Sequence, residues 1–198
     1  QVSDMLHTFS RMENNGNLID VNYLFYLKTP NSPINMELDR LQNDIMATKA
    51  VIKANKRLMK QKGISSTGWM GEVTTELFSL NKPEHKKLLF FDILGLAPLK
   101  EGKNGEGKVD KEFQEHYADV PEVAMFQGLG KAKKLRDSYV NSFIKLLGLS
   151  DDFKGDHRIR PQYQYLVVVT GRTSAKDPNL QQIPARSVLG KQIRSEEH

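Results

Sequence analysis

The chain has 198 residues, 29 basic against 24 acidic side chains, a net charge of +5 at pH 7 and no cysteine. This length suffices for one domain or two small ones with a core of their own. The lack of cysteine excludes disulfides, thiolate metal sites and a cysteine nucleophile, and favours a protein of the reducing cytoplasm. The longest apolar runs, such as residues 88–91, are far shorter than the roughly 20 residues of a membrane-spanning helix. A first residue Gln1 instead of methionine predicts an internal piece of a longer protein.

Positive charge concentrates towards the C-terminal end. Between Lys131 and Arg194 the chain carries 13 basic and five acidic residues, a local net charge of +8, which leaves −3 for the rest. Such a segment is typical of a surface that contacts phosphates. An ordinary solvated surface explains the charge equally well at this point.

The first half of the chain has the apolar spacing of helices. Residues 4–12 predict a helix that the Asn-rich turn 14–17 ends, followed by a short strand at 18–20 and a second helix from Val21. From Met36 to Lys62 apolar residues recur at helical spacing, which predicts one long amphipathic helix ended by a glycine.

The second half predicts shorter helices and then strands. Residues 69–78 are weakly helical, Pro83 opens a helix that carries an apolar run to residue 94, and residues 100–108 form a Gly- and Lys-rich loop. Helices are predicted at 110–117 and 128–147. Residues 158–170 are rich in Tyr, Val and Ile and predict one or two strands. Helices first and strands last favour an α+β fold.

No self-contained active site is predicted. Residues 102–108 have the spacing of a phosphate-binding GxxxxGK loop, but Val109 stands where a Ser or Thr must reach Mg²⁺, so a surface loop is the preferred interpretation. Nucleotide hydrolysis there would require nucleotide binding that Lys108→Ala abolishes. The pair Asp151-Asp152 fits a turn cap, and the histidines show no paired metal-ligand spacing. We therefore predict no catalytic residue and no metal site.

Residues 170–186 carry the most informative chemistry, with the sequence TGRTSAKDPNLQQIPAR. Arg172, Asn179 and Gln181 supply N–H donors, and Pro178 and Pro184 stiffen the backbone between them. Every base pair presents acceptors in the minor groove, whatever its sequence. Donors in this frame can test the geometry of a base pair without reading the bases.

This segment resembles the TGRxSSxDPNLQNIPxR motif of family A DNA polymerases, the DNA polymerase I-like group, where it joins the thumb to the palm. The departures are small: Thr173-Ser174-Ala175 where Leu-Ser-Ser is frequent, and Gln182 where Asn is common. Looser resemblances follow in the family's order: residues 11–20 to RIExNGxxID, 78–84 with 94–96 to the thumb-tip FNLxSPKQL…LGL, and 134–139 to KLKSTY.

The resemblance implies a mainly α-helical polymerase thumb with a small antiparallel β element at the C-terminal end, the start of the palm. Residues 1–35 would be a lead-in helix and turn from the palm side. Residues 36–150 would form the helical thumb, and residues 151–198 the β-rich start of the palm with its DPNLQQIP motif.

The resemblance also implies roles for single residues. Arg172 would contact the minor groove at the primer terminus, and Asn179 and Gln181 the nearby duplex and template. Arg186 would lie towards the incoming triphosphate, in the intact polymerase only. The implied phosphate contacts are Lys134, Arg136, Ser79, Asn81 and Lys82. The alternatives are solvated surface for these phosphate contacts and a structural turn for the motif.

The family's two metal-binding aspartates, in DYSQIELR-like and VHDE-like motifs, and its nucleotide-gripping Lys and Tyr lie downstream of the match. The sequence stops at His198, before them. We therefore expect this fragment to bind primer–template DNA as a monomer, without membrane or cofactor, and not to extend it. The parent nucleotidyltransferase would use Mg²⁺ and dNTP in DNA replication or repair. A stand-alone, non-catalytic duplex-binding accessory module is the second hypothesis.

Overall fold

The computed structural model describes residues 2–64, 77–102, 105–148, 155–164 and 173–184. The chain divides into two compact units: unit 1 comprises residues 1–37 and 132–198, and unit 2 comprises residues 38–131. Within the described ranges, no helix is both long enough and apolar enough to cross a membrane. The division by role at residues 35/36 and 150/151 stays a prediction, because compactness does not test it.

Most of the described residues are helical, and the strands are short. The helices are α1 (Val2–Asn15), α2 (Val21–Lys28), α3 (Pro33–Met46), α4 (Lys49–Gln61), α5 (Pro83–Lys87), α6 (Lys111–His116), α7 (Pro121–Leu135) and α8 (Asn141–Leu146), with π-helical segments at Leu88–Ile93 and Arg136–Val140 and a 3-10 helix at Leu180–Gln182. The strands are β1 (Asn17–Leu18), β2 (Arg158–Ile159), β3 (Gln162–Gln164) and β4 (Ser174–Lys176). The predicted α+β class is confirmed.

Both strand pairs belong to unit 1 and are antiparallel. β1 pairs with β2, with Asn17 opposite Ile159, and β3 pairs with β4, with Tyr163 opposite Ala175. Helix α1 packs on β3, where the ring of Phe9 stacks on that of Tyr163 at 5.9 Å. The strands predicted over residues 158–170 are confirmed as far as residue 164, and the remainder lies outside the described residues.

The single long helix predicted from Met36 to Lys62 is wrong, because the structure has two helices there. Thr48 separates α3 from α4 with an extended backbone (φ −66°, ψ 142°). Its hydroxyl accepts the N–H of Val51 at 3.3 Å and donates to the carbonyl of Ile45 at 2.8 Å. Thr48 therefore supplies a hydrogen-bond partner to one N–H at the start of α4 and to one carbonyl at the end of α3. Apolar spacing alone continues unchanged across such a break.

The start predicted for the helix at residue 128 is also wrong, since α7 begins at Pro121. Proline and Glu122 in its first turn suit a helix N-terminus. Gly128 lies inside the helix, where a Cβ would approach Leu41 of α3 to 3.4 Å. By contrast, α6 begins as predicted: the carboxylate of Asp110 caps it by accepting the N–H of Phe113 at 2.9 Å.

Phe113 is the centre of the core of unit 2. It is fully buried, and three aromatic rings surround it, those of Phe90 at 5.7 Å, Phe91 at 5.4 Å and Tyr117 at 4.9 Å between centroids. Two of these partners come from the π-helical segment that continues α5. The core therefore fixes the direction in which the start of α5 points.

In unit 1, two arginines of the β2 region hold the turn that ends α1. The Arg158 guanidinium donates to the carbonyls of Asn15 (3.1 Å) and Gly16 (3.3 Å), and that of Arg160 donates to the carbonyl of Asn14 (3.0 Å). Arg160 also pairs with Asp156, and the hydrogen bond from its guanidinium lowers the pKa of the Asp156 carboxyl to about 2. These contacts join the N-terminal segment to residues more than 140 positions away in sequence.

Candidate nucleic-acid interface

Three consecutive backbone amides in unit 2 are bound by side chains instead of main-chain carbonyls. The N–H groups of Leu77 and Phe78 both donate to Oδ1 of Asn55, at 2.7 and 3.0 Å, and the N–H of Ser79 donates to Nδ1 of His85 at 2.8 Å. Asn55 lies on α4 and is only 6% exposed. We refer to residues 77–82 as the 77–82 turn. The expectation of weak helix over 69–78 fails at Leu77 and Phe78, and residues 69–76 lie outside the described residues.

The predicted contacts Ser79, Asn81 and Lys82 lie together on the 77–82 turn. Ser79 organises it, because its carbonyl accepts the N–H of Lys82 (3.3 Å) and its hydroxyl accepts the N–H of Asn81 (3.4 Å). The side chains of Asn81 and Lys82 are exposed. Pro83 then begins α5 as predicted. An amide and an ammonium therefore face solvent on a turn whose backbone is held in place.

Helix α5, which follows this turn, carries two further lysines. The ammonium of Lys86 lies 5.8 Å from the centre of the Phe126 ring, and Lys87 forms an ion pair with Glu106. The pKa of His85 is lowered from its ordinary value of 6.5, first by burial and then by the charges of Lys82 and Lys62, while Glu84 opposes the shift. Burial is thus the main cause of the lowered pKa of His85, and the nearby lysines add to it.

Lys134 and Arg136 belong to unit 1, on a helix that begins well before the start predicted near Gly130. Lys134 lies exposed in the last turn of α7. Arg136 opens the π-helical segment and pairs with the next residue, Asp137, at 2.9 Å between Nε and Oδ1. A phosphate contact by Arg136 would therefore share the guanidinium with this carboxylate.

The described part of the DPNLQQIP segment combines β4, a turn and a 3-10 helix. Asn179 precedes the 3-10 helix, and its Oδ1 is buried with no hydrogen-bond partner among the described residues. Gln181 is exposed, and its amide donates to the hydroxyl of Thr173 at 3.5 Å, the limit of a hydrogen bond. Arg172 and Arg186 lie outside the described residues.

Tyr139 connects two of these predicted contact regions within unit 1. Its hydroxyl donates to the carbonyl of Gln182 at 2.8 Å, so the helical segment after α7 contacts the 3-10 helix that carries Gln181. Tyr139 is 6% exposed, and burial raises the pKa of its phenol. The structure thus joins the helical and the motif residues in one unit, and the 77–82 turn belongs to the other.

Sequence reasoning missed Asn55, His85 and Tyr139, which position the predicted contact residues. A signal existed for Asn55, because it occupies the buried stripe of α4 beside Val51 and Met59. A polar residue in an apolar stripe indicates a buried hydrogen bond. His85 and Tyr139 carry no such local signal, since their partners are set by the fold.

The other candidates from the sequence are the 100–108 loop and the pair Asp151-Asp152. In the described part of the 100–108 loop, Gly102 donates to the carbonyl of Glu106 at 2.7 Å and Glu101 pairs with Gly107, a small hairpin that does not run directly into a helix. Asp151 and Asp152 lie outside the described residues. In the part of the chain that the structure describes, no three acidic, His or Cys side chains could jointly hold a metal ion.

Comparison with known proteins identifies one family. Residues 49–196 match the family model for DNA polymerase family A. Among curated relatives, DNA polymerase I of Bacillus subtilis is 27% identical over 126 residues, which is 62% of this chain and 13% of that protein. DNA polymerase I of Streptococcus pneumoniae is 33% identical, over 62% of this chain and 14% of that protein. DNA polymerase I of Pseudomonas aeruginosa is 24% identical over 85% of this chain and 18% of that protein.

A solved structure shows the same fold. The POL domain of Pol1 from M. smegmatis, in complex with DNA primer-template and dNTP, superposes with a TM-score of 0.54 and 21% identity. The match covers 96% of this chain and 28% of that one. The chain thus spans between 13% and 18% of the length of the three curated relatives.

Proposed function

The chain belongs to DNA polymerase family A, and on this premise we propose that it holds primer–template duplex during DNA replication or repair. Its contacts would be to backbone phosphates and to the minor groove, with little preference for sequence. The proposed DNA-binding residues are Ser79, Asn81, Lys82, Lys134, Arg136, Arg172, Asn179 and Gln181. The extent of the family match carries the proposal, because residues 49–196 include every one of them.

The 77–82 turn supports the phosphate part of this proposal. Its backbone is held by Asn55 and His85 before any DNA arrives. A turn that is already ordered loses little conformational entropy on binding. The exposed amide of Asn81 and ammonium of Lys82 are donors of the kind that bind phosphate oxygens.

The motif supports the minor-groove part. The exposed amide of Gln181 makes a long hydrogen bond to the hydroxyl of Thr173, at 3.5 Å. Because this bond is weak, exchanging it for a hydrogen bond to a purine N3 or pyrimidine O2 costs little free energy. These acceptors occur in every base pair, which suits a grip that follows any template.

Nucleotide transfer would belong to the longer polymerase. Two Mg²⁺ ions in such sites stabilise the attacking and leaving oxygens, and among the described residues no three acidic, His or Cys side chains lie close enough together to hold a metal ion. In that longer enzyme, Arg186 would lie towards the incoming dNTP. The 198 residues alone are proposed to bind duplex without extending a primer.

The first test is the affinity of the chain for a primer–template junction, a blunt duplex and a single strand, by fluorescence anisotropy over a salt series. We expect both duplexes to bind more tightly than the single strand. Cationic phosphate contacts by Lys134, Arg136 and one or two lysines near the 77–82 turn predict a slope of log K against log salt of roughly −3 to −4, at about −0.9 per contact. Lys82→Ala is expected to make the slope less steep by about 0.9, the share of one phosphate contact.

Lys111→Ala is the matched control, because Lys111 is a 90% exposed lysine of the same unit outside the proposed contacts. Its salt slope should equal that of the parent chain. A salt slope near zero for the parent chain would contradict the phosphate contacts. So would an equal change of slope in Lys82→Ala and Lys111→Ala. Tightest binding to the single strand would contradict the duplex grip.

Arg172→Ala tests the minor-groove contacts. Loss of a guanidinium fork is expected to weaken binding to a recessed 3′ end by about 1–3 kcal/mol, the size of a good base contact. Lys145→Ala removes an exposed cation of unit 1 that has no proposed role and serves as the control. Equal affinity of Arg172→Ala and the parent chain for the recessed end would remove Arg172 from the interface.

A further inference from the structure

The acceptors of the 77–82 turn differ in one chemical property. Asn55 Oδ1 accepts a hydrogen bond at any pH, whereas His85 Nδ1 accepts one only while the ring nitrogen carries no proton. We propose that Asn55 and His85 are positioning residues for this turn, and that protonation of His85 releases it, so that DNA is held less tightly in acid. The inference rests on the proposed function of the turn, which it deepens.

The hydrogen bond to Ser79 requires neutral His85. The Ser79 N–H points at Nδ1 over 2.8 Å, and the imidazole lies against the ring of Phe78, with centroids 5.6 Å apart. An imidazolium carries N–H on both nitrogens. Protonation would therefore set two N–H donors against each other and leave the half-buried Ser79 amide without its acceptor.

Loss of this bond would reach the exposed contact residues through Ser79. The Ser79 carbonyl and hydroxyl accept the N–H groups of Lys82 and Asn81. A displaced Ser79 removes both bonds from the turn. Asn55 still holds Leu77 and Phe78, so the release is confined to residues 79–82 and α4 is unaffected.

The charges around His85 favour its neutral form. Burial acts first and lowers the pKa of His85 from 6.5, and the positive charges of Lys82 and Lys62 add to that effect. The charged groups near the ring, or lining the same open cleft, are Lys62, Lys82, Glu84, Lys87, Asp92 and Glu106. Because the folded pKa is depressed, the bond is intact above pH 6.5. It is lost as the pH falls below 6.5 and through the lowered pKa.

The direction of the pH effect separates this mechanism from simple electrostatics. A histidine that gains a positive charge beside DNA should strengthen binding in acid, because it adds a cation near phosphates. Release of the turn should weaken binding instead. We expect affinity for a duplex primer–template to fall roughly tenfold between about pH 8 and a pH below the lowered pKa of His85, the effect of one lost hydrogen bond.

The experiment compares the full 198-residue chain with three variants at both pH values and constant salt. His85→Asn supplies an amide oxygen near the position of Nδ1 that does not titrate, so the loss in acid should disappear. His85→Ala removes the acceptor and should weaken binding at both pH values. His116→Asn changes an exposed histidine of unit 2 and should keep the parent's pH profile. A parent profile in His85→Asn, or tighter binding by the parent in acid, would overturn the proposal.

A second measurement needs no DNA. In ¹⁵N NMR spectra of the free chain, the Ser79 amide should shift and exchange faster as His85 protonates, and should not respond to pH in His85→Asn. A Ser79 amide that stays constant while the His85 ring titrates would overturn the positioning role. Absence of DNA binding by the parent at either pH would contradict the proposed function alone, because the Ser79 titration decides the positioning role by itself.

Discussion

Replacing Phe113 with alanine is expected to lower the free energy of unfolding of unit 2 by about 3–5 kcal/mol, the usual loss for a buried phenylalanine. The ring is fully buried among three other aromatic rings. Its removal loses their contacts and leaves a cavity that rigid neighbours cannot fill. Since Phe90 and Phe91 continue α5, we expect looser packing to reach the start of that helix, beside the 77–82 turn.

Urea denaturation followed by circular dichroism, with amide exchange to assign the change to unit 2, measures this effect. Ile52→Ala is the matched control, because Ile52 is a 43% exposed side chain on α4. We expect the control to lose less than about 1 kcal/mol. Similar losses in the two variants would show that Phe113 is not the centre of this core.

Gly16→Ala is expected to destabilise unit 1 by about 2–5 kcal/mol. Gly16 has φ +62°, where a side chain costs about 1–2 kcal/mol. A Cβ would also lie 2.8 Å from the carbonyl oxygen of Ile159 and 2.7 Å from Cγ of Arg160. The carbonyl belongs to the backbone of β2, so relief requires the strand to move and adds roughly 1–3 kcal/mol.

Gly148→Ala isolates the contribution of the positive φ from that of the close approach. Gly148 has nearly the same dihedral, φ +59°, but among the described residues, its chain neighbours apart, no atom lies within 4 Å of the position that a Cβ would take. Thermal unfolding of both variants should therefore show the larger loss for Gly16→Ala, with exchange of the Ile19 amide, which donates to His157, as the local readout. Equal losses would mean that β2 yields to the methyl group without cost.

The resemblance to family A DNA polymerases was visible in the sequence, and the family match over residues 49–196 confirms it. Local chemistry also located several elements correctly. Asp110 caps α6 and Pro83 opens α5 because both act on amides within one helical turn. Such features depend on neighbours along the chain, which the sequence displays directly.

The break at Thr48 shows where local reasoning fails. The apolar stripe runs through it unchanged, and threonine is compatible with a helix interior as well as with a cap. In the folded chain Thr48 is the N-cap of α4, so the structure has two helices where the sequence predicts one. The early start of α7 has a similar origin. Glycine is typical of a helix boundary, but Gly128 lies inside α7, where the side chain of Leu41 packs close to it.

The sequence by itself determined the family, through its motifs, and the helical character followed by short strands. Both follow from residue types at short spacing along the chain, whereas the proposed contact residues are what the family resemblance implies. Only the tertiary structure shows which acceptors hold the 77–82 turn and why a side chain at position 16 is unfavourable. Asn55 lies 22 residues before Leu77, and Tyr139 lies 43 before Gln182. Hydrogen bonds and close approaches over such separations exist only once the chain has folded, because packing, and not periodicity, brings the partners together.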